Sequence, residues 1–195
     1  MTQDLNGKTA LILIDIQDGF DSPYWGKRNN PDAEKNARRL LDAWRASKLP
    51  IFHVQHRSTE ENSPLRPDSP GCAFKQIVAP GENEPVIGKQ VNSAFIGTDL
   101  EKRLREQKIT TLVIAGISTD HCVSTSTRMA GNFGFTVFLA SDATHTFNRK
   151  GPDGREWTAD EIHSSALASL HGEFATVMST SEILGKLSEL TQAVK

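Results

Sequence analysis

The strongest constraint on the fold is an apolar run that ends in an acid: Thr9 to Ile16, TALILIDI, with Asp15 inside its far end. A run with no polar face suits a strand covered on both sides, as strands of a parallel sheet are. Its unbroken apolar part, Ala10 to Ile14, is far too short for a bilayer, which needs about 20 residues. Five more stretches read as short strands: Ile51 to Gln55 (IFHVQ), Glu84 to Gly88 (EPVIG), Thr111 to Ala115 (TLVIA), Thr136 to Ala140 (TVFLA) and Ala175 to Met178 (ATVM).

Helical segments alternate with these strands. Asn30-Pro31 reads as an N-cap followed by proline at the first helical position, and Ala33, Ala37, Leu40, Leu41 and Trp44 then share one face. Thr98 with Glu101 has the spacing of a capping box and opens a helix with Leu100 and Leu104 inward. Cys122 opens another helix-like segment. Thr158 with Glu161 forms a second box, before Ile162, Ala166 and Leu170, and Ser179 with Glu182 caps the last helix. This alternation predicts one domain over residues 1–195, an α/β fold with a mainly parallel six-stranded sheet and helices on both faces.

Composition removes several function classes. Hydrophobic residues are 37% and charged residues 24%, ordinary for a globular chain, and the net charge of -2 leaves no footprint for nucleic acid or an anionic membrane. The start, MTQDLNGK, lacks the basic and apolar regions of a signal peptide. Cys72 and Cys122 are the only cysteines, too few for a disulfide framework. A cytoplasmic location is expected, with no nucleic-acid or membrane partner.

In parallel α/β sheets, ligands bind beyond the carboxyl ends of the strands. Asp15 ends the first strand, Lys89 follows the third and Cys122 follows the fourth, so the residues best suited to chemistry meet at one sheet edge. A thiol at a helix start sits where backbone N–H groups favour a thiolate. Asp15 is a plausible base, its pKa raised by burial, whereas His121 is adjacent to Cys122 in sequence and faces elsewhere. A plain buried ion pair beside an inert cysteine fits the same residues. Phe20, Trp25, Phe95, Phe147 and Trp157 fall in or near loops after strands, and Phe20 and Phe95, nearest in sequence to Asp15 and Lys89, are the best candidates for a pocket wall.

These segments also carry a resemblance. LILIDIQDGF, GKQVNSAFIGTDLEKRL and VIAGISTDHCVSTSTRMA occur in the order, and at the strand ends, found in the isochorismatase-like cysteine hydrolase superfamily, and the match extends from about Thr9 to Leu184. Nicotinamidases and N-carbamoylsarcosine amidase resemble the chain in the same way. The resemblance implies a three-layer, Rossmann-like fold and an Asp15–Lys89–Cys122 triad that cleaves the C–N bond of a small amide, ureido or cyclic amide compound. It further implies a cis peptide at Ile117–Ser118 and an oxyanion hole from the Ser118 and Cys122 N–H groups. Phe20, Phe95, Ile117 and His121 are then expected near the substrate, without a cofactor, in a homo-oligomer (dimer or tetramer). One departure concerns metal: where nicotinamidases carry Asp-x-His after the second strand, this chain has Val54-Gln55-His56, so no metal is expected at His53 and His56. The alternatives are a non-catalytic binding or scaffold protein of this fold and a vinyl-ether hydrolase of isochorismate type.

Overall fold

The computed structural model describes residues 4–193, so Met1, Thr2 and Gln3 of the MTQDLNGK stretch lie outside the described residues, as do residues 194–195. The order of elements is β1 (Ala10–Ile14), α1 (Ala33–Ser47), β2 (Ile51–His56), β3 (Val86–Lys89), α2 (Leu100–Glu106), β4 (Thr111–Ile117), α3 (Ser124–Asn132), β5 (Thr136–His145), β6 (Arg149–Lys150), β7 (Glu156–Trp157), α4 (Ala159–Leu170), β8 (Thr176–Met178) and α5 (Thr180–Ala193). Six strands form one sheet in the order β3-β2-β1-β4-β5-β8, and every pairing in it is parallel. The expected six-stranded α/β sheet is present. Where Phe147 and Trp157 were expected in or near loops, the chain between them contains a small antiparallel hairpin, β6–β7. No helix among the described residues is long and apolar enough to cross a membrane.

All residues of β1 and β4 are buried, as an apolar run without a polar face requires. Alternate side chains serve two cores. Leu11, Leu13, Val113 and Ala115 pack with α1 and α5 through Leu40, Trp44, Ile183 and Leu187. Ile12, Ile14, Leu112 and Ile114 pack on the other face with Leu100 and Leu104 of α2, Ala130 of α3 and Leu170 of α4. The period-two alternation of the strands thus fills both helical layers.

Two predicted helix starts are made differently. Asn30 is not the cap of α1: its φ of +41° lies in the left-handed region, and its Nδ2 donates to the Ser141 and Thr144 carbonyls of β5 at 3.1 and 2.8 Å. The helix begins after Asp32. Thr98 does not close a box with Glu101, because its Oγ1 donates to Ala94 O at 2.6 Å and α2 starts after Asp99. The box at Thr158 and Glu161 forms as read, and so does the exchange between Ser179 and Glu182.

The fold positions the candidate site through two tight contacts. Gly116 has φ +140°, and a Cβ there would lie 2.0 Å from Ile14 O, so only glycine lets β4 pass β1 at this point. There the β4–β5 register also shifts, which carries β5 on to His145 rather than ending it at Ala140. The long connection after β2 is pinned rather than loose. A Cβ on Gly71 would lie 2.4 Å from Pro64 O and 2.7 Å from Gly19 Cα. The Gln17 side chain joins both loops, donating to Cys72 O at 2.8 Å and accepting from the His56 N–H at 2.8 Å.

Candidate active site

Asp15, just beyond β1, Lys89, the last residue of β3, and Cys122, in a single π-type turn (Thr119–Val123) between β4 and α3, meet at one end of the sheet. They are 0%, 2% and 7% exposed. Lys89 Nζ donates to Asp15 Oδ2 at 2.6 Å and lies 3.3 Å from Cys122 Sγ. Its third neighbour is His56 Nδ1 at 3.0 Å. An ammonium has three N–H groups and no lone pair, so these acceptors use all of them and place the His56 proton on Nε2. Asp15 Oδ1 is buried without a hydrogen-bond partner.

Burial sets the protonation of this cluster. It raises the Asp15 carboxyl above its usual range, against the pull of Lys89. Burial, and next the charge of Asp15, also push the Cys122 thiol up, with Lys89 opposing. The thiolate expected from a helix start is therefore not the resting form; the sulfur is enclosed and separated from α3 by the π-type turn. Burial, together with the Lys89 charge, lowers His56 to about 4, which keeps it neutral. The donor atoms of Asp15, His56 and Cys122 lie within 4.8 Å of one another, and the Lys89 ammonium bonds to all three. It takes the position a metal cation would need.

His53 and His56 do not form a ligand pair. Three residues apart on a strand, they point to opposite faces, and His53 Nε2 is 2.7 Å from Glu84 Oε2. His56 joins the cluster because the β2–β3 register sets it directly beside Lys89. No local pattern marks this, since it depends on how β2 pairs with β3.

Above Cys122 and Ser118 lies a cavity of about 240 Å³. Phe20, Tyr24, Trp25 and Phe147 give it an aromatic wall, with ring centroids of Phe20 and Trp25 4.9 Å apart and of Trp25 and Phe147 5.9 Å apart. Its polar lining includes His56, Glu60, Asn92, His121 and Arg149. Two larger hollows, of about 580 and 570 Å³, lie along β8 and near the start of β2 and contain none of the three residues.

Of the predicted substrate neighbours, Phe20 and His121 line the cavity. Phe95 does not. Its ring packs on Phe133 and Phe135, at centroid distances of 5.5 and 6.3 Å, because the chain after Lys89 turns toward α3. The Ile117 side chain belongs to the core beneath α1 and α5. Trp157 lies under the Arg155 guanidinium instead. The Ile117–Ser118 peptide is cis. Thr119, fully buried, braces the turn through Oγ1, 2.9 Å from His163 Nδ1. Arg149, missed in the sequence, reaches the cavity from β6. No local pattern marks it, since the contact depends on a hairpin that sequence reading took for a loop.

The chain matches the isochorismatase domain over residues 9–182. It is 45% identical over 177 residues to the isochorismatase family protein YrdC of Bacillus subtilis, covering 91% of this chain and 95% of that one. A hydrolase of the isochorismatase family from Chromobacterium violaceum, 47% identical, superposes with a TM-score of 0.92 over 97% of this chain and 100% of that chain. Nicotinamidase 3 of Arabidopsis thaliana is 27% identical over 190 residues, covering 89% of this chain and 86% of its own. With the matched domain spanning all the strands and every residue of the buried cluster, the chain belongs to the isochorismatase family and is a hydrolase of that family.

Proposed function

We infer that the protein hydrolyses a C–N bond of a small amide, ureido or cyclic amide compound, with Cys122 as nucleophile, Asp15 as base and Lys89 as the cation that holds them together. The observation that carries this reading is the buried Asp15 carboxylate: one of its oxygens lies within 4.8 Å of the Cys122 sulfur, Oδ2 is held by Lys89, and Oδ1 has no hydrogen-bond partner. A carboxyl with a raised pKa is a better proton acceptor than an ordinary one, and a base near the operating pH serves general catalysis best. As Sγ attacks the carbonyl carbon, the thiol proton passes to Asp15 Oδ1 and the C=O electrons move to oxygen. Collapse of this intermediate breaks the C–N bond, and Asp15 returns its proton to the leaving nitrogen. Water then attacks the thioester, giving a proton to Asp15, and the second collapse releases the acid and restores the thiol. The Ser118 and Cys122 N–H groups are the candidates for the oxyanion, since both residues border the cavity.

The neutral His56 has its Nε2–H left over after Nδ1 accepts from Lys89, so it offers a donor to substrate rather than a second base. The test is an ammonia-release screen over amides, ureides and lactams, with intact-mass analysis of trapped enzyme. An acyl mass on Cys122 is the expected result. Turnover by Cys122→Ala at more than a tenth of the wild-type rate would refute the thioester route and favour vinyl-ether chemistry.

A further inference from the structure

Arg149 is held as a recognition group rather than as a surface charge. Its Nε donates to Asp120 Oδ2 at 2.9 Å and its Nη2 to Asp120 Oδ1 at 3.3 Å. Asp120 is itself fixed by the Thr146 hydroxyl and lies 3.3 Å from His121 Nε2. Burial opposes ionisation of Asp120, but the hydrogen bonds from Arg149 and Thr146 outweigh it and keep the carboxyl below its usual range. One edge of the guanidinium is thereby spent. Arg149 lines the cavity, and its Nη2 also reaches Ser118 Oγ at 3.5 Å, so the guanidinium stands beside the carbonyl-binding end of the site.

A guanidinium with one edge anchored presents two N–H groups in a fixed plane, the geometry that pairs with a carboxylate. The other cation at the site, Lys89, has its donors taken by Asp15, His56 and Cys122. Glu60 is the one free acid in the cavity lining, and it is exposed, so water screens its repulsion. A cavity of about 240 Å³ suits a substrate of roughly ten non-hydrogen atoms, below drug size. We propose that Arg149 determines specificity by binding a carboxylate, so that the substrate is a small amide or ureide carrying an acid group a few bonds from the scissile carbonyl. This rests on the C–N hydrolase reading above.

The test compares matched pairs: succinamic acid with butyramide, and glutaramic acid with valeramide. Wild-type kcat/KM is expected to favour the acid of each pair by about a hundredfold, the worth of a charged two-point contact. In Arg149→Gln that ratio falls to near 1, through KM, while Arg149→Lys, which keeps the charge without the fork, falls between. A loss through kcat that is equal for acid and neutral amide would overturn the proposal and make Arg149 an oxyanion donor. So would a wild type that prefers the neutral amides. Melting curves of both variants show whether Asp120, left unpaired, has disturbed the fold. A binding arm needs no turnover: Cys122→Ala protein is titrated calorimetrically with succinate and with butyramide. Succinate binding that Arg149→Lys weakens and Arg149→Gln abolishes supports the carboxylate site, and succinate binding indifferent to both overturns it. Absence of any acyl mass on Cys122 across the panel refutes the hydrolase reading alone, because the calorimetry still judges Arg149.

Discussion

Asp15→Asn separates the role of Asp15 as a base from its effect on the sulfur. In the wild type the charge of Asp15 is one of the causes that push the Cys122 thiol up, and the two groups' reactive atoms lie within 4.8 Å. Two like charges at that distance, at an effective dielectric of about 20, repel by roughly 3 kcal/mol, which suppresses the thiolate on the order of a hundredfold at a given pH. Asparagine removes that repulsion and leaves Lys89 beside the sulfur at 3.3 Å. A better-stabilised thiolate is intrinsically less nucleophilic, by about half the exponent, so alkylation by iodoacetamide at pH 7 should speed up by about tenfold rather than a hundredfold. Amide hydrolysis should fall by about 10³-fold, because the proton acceptor is gone. The assay follows Cys122 modification by intact mass over a pH series, alongside turnover of whichever amide the wild type accepts. The outcome expected is a more reactive sulfur in a nearly dead enzyme. Slower or unchanged alkylation in a folded variant would refute the electrostatic argument, and hydrolysis within tenfold of wild type would refute Asp15 as the base.

Because the Asp15 pKa is raised, kcat/KM should already fall on acidification above the usual carboxylate range, as the protonated acid cannot take the thiol proton; a limb at or below about 3.9 in the pH profile would contradict this. Glu84, held by Arg45 and His53, has its carboxyl lowered to about 2, chiefly by the Arg45 hydrogen bond. Its stabilisation is therefore present above the ordinary Glu pKa of about 4.3 and lost as pH falls toward about 2, so Glu84→Gln should lower the melting temperature at pH 7 and matter progressively less on acidification. Gly116→Ala puts a methyl group 2.0 Å from Ile14 O and should cost roughly 3 kcal/mol or more, read as a drop in urea midpoint or loss of soluble protein. Lys89→Ala leaves an oxygen, a nitrogen and a sulfur donor around the space of the ammonium, a set suited to Zn²⁺ or Co²⁺. That variant should bind Co²⁺ with a thiolate charge-transfer band that the wild type and Lys89→Ala/His56→Ala lack.

How far the sequence revealed the molecule depended on whether a signal was local or tertiary. Asp15, Lys89 and Cys122 were legible because a parallel sheet gathers its carboxyl ends, and the apolar runs located those ends. Asn30 and Thr98 misled because a cap is read from a few neighbouring residues, whereas Asn30 finds carbonyls of β5 and Thr98 finds Ala94. The exposed boxes at Thr158 and Ser179 had no such competitors. Phe95 failed for a related reason: nearness to Lys89 in sequence did not survive the turn that follows β3. Phe147 reaches the cavity because β5 runs on past Ala140, and Arg149 because the hairpin returns over Ser118. Neither consequence is written in the residues concerned.

The buried cluster is better understood by its charge than by its members. Asp15 and Lys89 are both removed from water, and a buried ion pair rarely repays its desolvation in stability. Its value lies in the constraint it imposes. With a single cation available, the site tolerates one negative charge, so Asp15 and Cys122 cannot both be ionised without a large electrostatic cost. One proton is thus always shared between them. When it leaves sulfur for Asp15 Oδ1, the negative charge moves from oxygen to sulfur while Lys89, already bonded to both, keeps its place. Neutral His56 completes the ammonium's coordination without adding charge. The nucleophile is generated by moving a proton inside a neutral cluster, with no solvent to reorganise, and the raised thiol pKa that argues against a resting thiolate is what holds that proton until a substrate carbonyl is in position.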